Sequence, residues 1–152
     1  MRHIFVVVFA LVIIIARPVF ATFSIVAIDP ETGDLGAAVA SRVFGAGFQI
    51  MWAEAGVGTV VTQAHINGGY GPRGLELLKE GLTAQQVVDQ LLAEDPYPRK
   101  EGRQVAIVDA KGNVAVYTGP IASDWRGHIK GDTYSVQGNI LAGPHVDRKS
   151  VV

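Results

Sequence analysis

The chain has 152 residues, 49% of them hydrophobic and 18% charged, with a mean hydropathy of +0.28. That length accommodates one domain and excludes a two-domain enzyme. The absence of cysteine excludes disulfides, thiolate catalysis and cysteine-based metal sites, and a net charge of −1 without a basic patch argues against nucleic acid as a partner.

The apolar excess lies at the front. Behind Met1-Arg2-His3, the stretch from Ile4 to Ala16 carries no charge over 13 residues. As a helix it would span about 20 Å, short of the roughly 30 Å of a bilayer core. Arg17 and Pro18 end it, and Val19 and Ala21 are the small residues that signal peptidase accepts three before and one before its cut. Residues 1–21 therefore read as a signal peptide, with an uncleaved anchor as the alternative. The mature chain would begin at Thr22 and be secreted or periplasmic, touching a membrane only during export. Losing Arg2 and Arg17 leaves 11 Lys+Arg against 14 Asp+Glu, a charge of −3.

From Thr22 the pattern is that of strands. Phe23 to Ile28 is β-rich, Asp29-Pro30-Glu31-Thr32-Gly33-Asp34 has turn chemistry, and Leu35 to Ser41 is a run of small apolar residues. The three together predict an antiparallel hairpin. The thin side chains of Ala37, Ala38 and Ala40 suggest another layer packed closely there. Phe48 to Ala53 and Gly58 to Ala64 predict two more strands around Ala55-Gly56.

The period then changes. Gly71-Pro72-Arg73 opens a helix bearing Leu75, Leu77 and Leu78, closed by Gly81. Thr83-Ala84-Gln85-Gln86 is a capping box leading a second helix, whose Ala84, Val87, Val88, Leu91 and Leu92 form one stripe. Asp95-Pro96 ends it, and Pro96 to Gly102 reads as loop. Strands return at Gln104 to Asp109 and Asn113 to Thr118 around Ala110-Lys111-Gly112. Ile121 to Gly131 reads as loop, and Thr133 to Gly138 as a last strand before Asn139-Ile140-Leu141. Runs of strands flanking a pair of helices indicate an α+β fold. Several strands lack polar alternation, so both of their faces are expected to be covered. The terminal Asp147 to Val152 resembles a translated sequencing adapter and reads as a non-native tail, with a genuine polar tail as the alternative. On the first reading the domain occupies residues 22–146 and is incomplete at its C-terminal end.

Several chemistries are missing from the sequence. It has no Gly-x-Ser-x-Gly elbow, no phosphate loop and no His-Glu-x-x-His. His65, His128 and His145 are widely spaced and read as loop or surface histidines. No cofactor and no metal are expected. What stands out is Thr22. A threonine hydroxyl needs a base to become a nucleophile. A free α-amino group on the same residue, with an unperturbed pKa of about 7.7–8.0, can be that base. Cleavage after Ala21 would create it. The alternative is a strand residue that merely tolerates cleavage.

Thr22-Phe23-Ser24-Ile25-Val26-Ala27, Asp29-Pro30-Glu31-Thr32-Gly33, Ala38-Val39-Ala40-Ser41-Arg42, Ala55-Gly56-Val57-Gly58, Thr62-Gln63-Ala64, Tyr70-Gly71-Pro72-Arg73-Gly74 and Ser135-Val136-Gln137-Gly138-Asn139 occur in this order. Together they resemble the DUF1028 family, grouped with the N-terminal nucleophile (Ntn) hydrolases. The resemblance implies a four-layer αββα sandwich and hydrolysis of a small-molecule or peptide amide by Thr22. The oxyanion of such a reaction needs preorganised donors; the Gly138 amide and Asn139, just after the last strand, are the candidates, with a plain strand-ending turn as the alternative. Arg42, closing the second strand, is a candidate for bidentate contact with a substrate carboxylate, with a structural ion pair as the alternative, and Gln63 and Asn67 are candidate substrate contacts. Homo-oligomerisation is left open. Two departures stand against proteasome-type peptidase chemistry. Ala40-Ser41-Arg42 replaces Asp-Ser-Arg, and no lysine occurs from Val43 to Leu78. A small-amide or peptidoglycan-related amidohydrolase fits an exported protein better. The competing reading is a non-catalytic exported binding domain on the same fold.

Overall fold

A computed structural model describes residues 21–143. The expected signal peptide, apart from Ala21, and the expected tail lie outside them, as does His145. The chain order is β1 (Thr22–Ile28), β2 (Leu35–Ser41), α1 (Ala46–Ile50), β3 (Met51–Glu54), β4 (Gly58–Ala64), α2 (Tyr70–Lys79), α3 (Ala84–Glu94), a 3-10 turn (Lys100–Gly102), β5 (Arg103–Asp109), β6 (Val114–Thr118), β7 (Gly127–Lys130) and β8 (Tyr134–Asn139). The eight strands form two four-stranded antiparallel sheets, ordered β2-β1-β8-β7 and β3-β4-β5-β6.

The mixed α+β class follows from how faces are shared out. In β5, Val105 and Ile107 join Val60, Ala115 and the helix stripe of Leu77, Ala84, Val87, Val88 and Leu91 in one core. The alternate residues Ala106 and Val108 join Val26, Ile28, Val61 and Val114 in a second core between the sheets. Strands β4 and β5 are covered on both faces, which is why they read as continuous runs rather than as alternating ones. The layers are thus helices, second sheet, first sheet. The outer side of the first sheet is open among the described residues. Phe23, Ile25, Ala38, Ala40 and Val136 line a shallow apolar depression of about 250 Å³ there.

Helix α3 begins as its sequence dictates. Thr83 Oγ1 accepts from the Gln86 amide, and Gln86 Oε1 accepts from the Thr83 amide. Asp109 adds a tertiary tie, accepting from the Ala84 amide through Oδ2 and from the Lys111 and Asn113 amides through Oδ1. One carboxylate therefore shapes the β5–β6 turn and anchors the N-terminus of α3. Gly71 lets α2 lie flat on Trp52 of β3, since a Cβ there would fall 1.9 Å from the indole.

Two expectations are corrected. Phe48 to Ile50 is helical rather than extended, and the strand starts at Met51. The segment expected as loop from Ile121 to Gly131 contains β7, paired to β8 through Gly127↔Gly138 to Lys130↔Ser135. Among the described residues, no helix is long and apolar enough to cross a membrane.

Candidate active site

The site lies at one end of the sandwich, where three strand ends of the first sheet meet the end of β4. Hairpin register puts Thr22 opposite Ser41, and the β1–β8 pairing puts it opposite Asn139. Thr22 Oγ1 and Ser41 Oγ share a hydrogen bond of 2.9 Å that either hydroxyl can donate. Ser41 Oγ also accepts from the Val43 amide at 3.1 Å. These residues floor a cavity of about 420 Å³ together with Gln63 and Asn139.

Behind the floor runs a buried amide network. Ser24 Oγ donates to Gln63 Oε1 at 2.7 Å and accepts from Gln137 Nε2 at 2.6 Å. Gln104 Oε1 accepts from Gln63 Nε2 at 2.7 Å and from Asn139 Nδ2 at 3.1 Å. Its Nε2 faces Thr118 Oγ1, the Gly127 carbonyl and the Gly138 carbonyl at 2.9–3.0 Å. Gln63, Gln104, Gln137 and Asn139 are all buried. A buried amide left without its partner costs about 1–3 kcal/mol. Each amide in the network is thus held in one orientation by its neighbours. Gln104 crosses between the sheets and fixes both floor amides, Gln63 and Asn139.

The walls come from loops, strand ends and α1. Val43 comes from the β2–α1 loop, Ala46 and Ile50 from α1, Ala64 ends β4 and Ile66 follows it, and Ile121 and Ala122 precede β7. Two wall residues hold left-handed backbone without being glycine: Ala64 at φ 63° and Ile140 at φ 53°. Such geometry costs on the order of 1–3 kcal/mol per residue and clusters where function holds it in place.

The expected site residues divide. Thr22, Gln63 and Asn139 come together in the cavity. Gly138 does not line it. Its neighbours leave no room for a side chain, since a Cβ would sit 2.7 Å from Leu141. Arg42 is exposed and outside the cavity. Asn67 also lies outside it, its Oδ1 accepting from the Gly69 amide just before α2. Sequence reading missed Ser41 and His65 as site residues. Ser41 was legible by counting the hairpin register outward from Ile28↔Leu35. His65 had no local signal and enters the lining directly after β4, over Gly102, with Nδ1 buried and unpartnered among the described residues. His128 is exposed, with Nδ1 2.9 Å from Thr118 Oγ1.

Beneath His65 lies a charged cluster. Arg103 Nε donates to Asp95 Oδ2 at 2.7 Å, Tyr70 Oη donates to the same oxygen at 2.6 Å, and Arg103 Nη1 donates to the His65 and Ile66 carbonyls. Burial would raise the Asp95 carboxyl, but the hydrogen bonds from Arg103 and Tyr70 outweigh it and hold it at about 2. Burial first, then the Asp95 carboxylate, pushes the Tyr70 phenol well above its ordinary 10.0. The cluster supports the loop that carries His65 and Ile66. No group of three or more His, Asp or Glu side chains suited to a metal ion occurs among the described residues.

No curated protein matches the chain. Protein SPO2555 from Silicibacter pomeroyi, a crystal structure carrying the DUF1028 family model, superposes with a TM-score of 0.78 at 29% identity. The match covers 84% of this chain and 56% of that one, so the chain spans little more than half the length of that relative. Residues 22–151 match the family described as "Family of unknown function (DUF1028)". The chain belongs to the DUF1028 family.

Proposed function

We propose that the protein is an exported amide hydrolase of the N-terminal nucleophile type, acting through Thr22 once the bond to Ala21 is cut. The observation that carries this reading is the placement of Thr22 Oγ1 on the cavity floor, 2.9 Å from Ser41 Oγ and across the sheet from Asn139. Two antiparallel sheets stacked face to face, helices outside one and a bare apolar face outside the other, agree with a sandwich whose fourth layer would be helical.

The chemistry balances on one residue and its neighbours. The free Thr22 amine takes the Oγ proton as Oγ attacks the amide carbon. The oxyanion that forms needs preorganised donors. Asn139 Nδ2 spends one hydrogen on Gln104, and its second is the donor the reading assigns to the oxyanion. The ammonium then protonates the leaving amine as the C–N bond breaks, leaving an ester on Thr22. Water attacks that ester with the amine again as base, releasing a carboxylic acid and restoring the hydroxyl. Ser41 holds the Thr22 hydroxyl in place throughout.

The test is a matched pair of variants on correctly processed protein, with the N-terminus checked by mass spectrometry. Thr22→Ala should lower amide hydrolysis at least about 1,000-fold, while Thr22→Ser retains measurable turnover. A threonine-directed electrophile should add its mass to Thr22. Full activity in Thr22→Ala eliminates the mechanism. An unreactive Thr22 in properly processed protein favours the binding-domain reading.

A further inference from the structure

The cavity walls differ sharply from its floor. Polar groups are gathered at the floor around Thr22, while Val43, Ile50, Ile66, Ile121, Ala122 and Ile140 make up most of the sides, interrupted by Gln49, His65 and Ser123. No Asp, Glu, Lys or Arg side chain lines it among the described residues. Val43, Ile66, Ile121 and Ile140 are 55%, 44%, 41% and 45% exposed, so four large aliphatic side chains stand in water around the opening. One of them, Ile140, does so on left-handed backbone that a β-branched residue ordinarily avoids. Aliphatic groups left in water beside a polar floor are arranged for an apolar ligand group, which gains by displacing that water. A carboxylate or ammonium placed against the aliphatic walls would lose its hydration with no Asp, Glu, Lys or Arg side chain there to meet it, and the Thr22 amine at the floor is engaged at the reacting end as the base.

We infer that the substrate presents a neutral aliphatic acyl group to this cavity, and that acidic acyl groups are rejected. The assignment rests on the proposed role of Thr22. The acyl portion is bonded to Thr22 Oγ between the two half-reactions, so it stays in the cavity while the amine leaves. A volume of about 420 Å³ falls within the usual range for small-molecule sites. The cavity therefore suits an acyl chain rather than a folded protein or a polysaccharide strand.

The experiment varies the acyl group at a constant leaving group. Acetyl, butanoyl, hexanoyl, succinyl and γ-glutamyl p-nitroanilides are compared by kcat/KM on the processed protein. The expected result is a rise of roughly fourfold per added methylene until the cavity is filled, with succinyl and γ-glutamyl at least 100-fold below hexanoyl. A flat series, or a preference for the acidic acyl groups, overturns the inference.

A second arm separates its failure from that of the hydrolase reading. Thr22→Ala is titrated by calorimetry with N-butylhexanamide and with N-butylsuccinamate. Binding of the first alone supports the inference even where no p-nitroanilide is cleaved. Equal binding, preference for the succinamate, or binding of neither overturns it. The wall variant Ile121→Arg, at an exposed position, should shift the ratio of the two affinities at least tenfold toward the succinamate. An unchanged ratio counts against the cavity as the acyl site.

Discussion

Ile140 shows how a single residue can be set against its own preferences. At φ 53° it occupies backbone that costs an L-residue roughly 1–2 kcal/mol, and its side chain is only half covered. Its amide donates to Ser123 Oγ at 2.8 Å, which fixes the bend. Asparagine tolerates this conformation, so Ile140→Asn should raise the unfolding free energy by about 1 kcal/mol, read from urea melts. A loss of stability would mean that the exposed isoleucine packs better than its surface suggests. Nothing in the sequence marks Ile140. Strain of this kind follows from where β8 ends and the Leu141 side chain turns back over Gly138, a tertiary outcome. Thr22 stood out in the sequence because the chemistry proposed for it depends on chain position. Ser41 was legible through register. Arg42 and Asn67 show the opposite case: polar residues at strand and loop ends, next in sequence to the site yet outside its cavity.

Between elements, the tie of the end of α3 to the start of β5 is electrostatic. Asp95 caps the exit of α3, accepting from the Tyr97 amide, and its carboxylate pairs with Arg103 on β5. Because the folded carboxyl sits at about 2 against an ordinary 3.8, the unfolded chain takes up the proton first as pH falls. The pair's contribution is therefore complete above about pH 4 and is lost progressively toward pH 2. Asp95→Asn should be clearly destabilised at pH 6, with the gap to the parent closing between pH 4 and pH 2 in urea melts. A gap constant across that window would assign the loss to packing instead. Sequence reading placed one end of this tie, since Asp95-Pro96 ended the helix, but expected the strand only from Gln104 and so left out Arg103, its first residue. It could not place β7. Gly127-His128-Ile129-Lys130 is too short and too mixed to declare itself, and it is a strand because β8 offers an unpaired edge. Phe48 to Ile50 failed in the other direction. Its apolar run looked extended, but the chain must cross there from the first sheet to the second, and one helical turn makes that crossing.

Across the molecule, the second sheet is the protected middle. Its β4 and β5 have helices on one side and the first sheet on the other, with β5 buried along its whole length. Their amides should exchange with solvent slowest by mass spectrometry, while those of the edge strands β2 and β7 exchange earliest. A β7 as protected as β5 would contradict this layering. The two-sided covering was readable from the missing alternation in these strands. The packing order of the layers was not readable from periodicity, which reports that a face is covered without reporting by what; that order came only with the family resemblance. The first sheet keeps the consequence of its own composition. Gly36, Ala38 and Ala40 on β2 and Ile25 on β1 leave a nearly flat apolar surface in contact with water. Association on that surface will carry a negative heat-capacity change and loosen on cooling, the reverse of a contact held by hydrogen bonds.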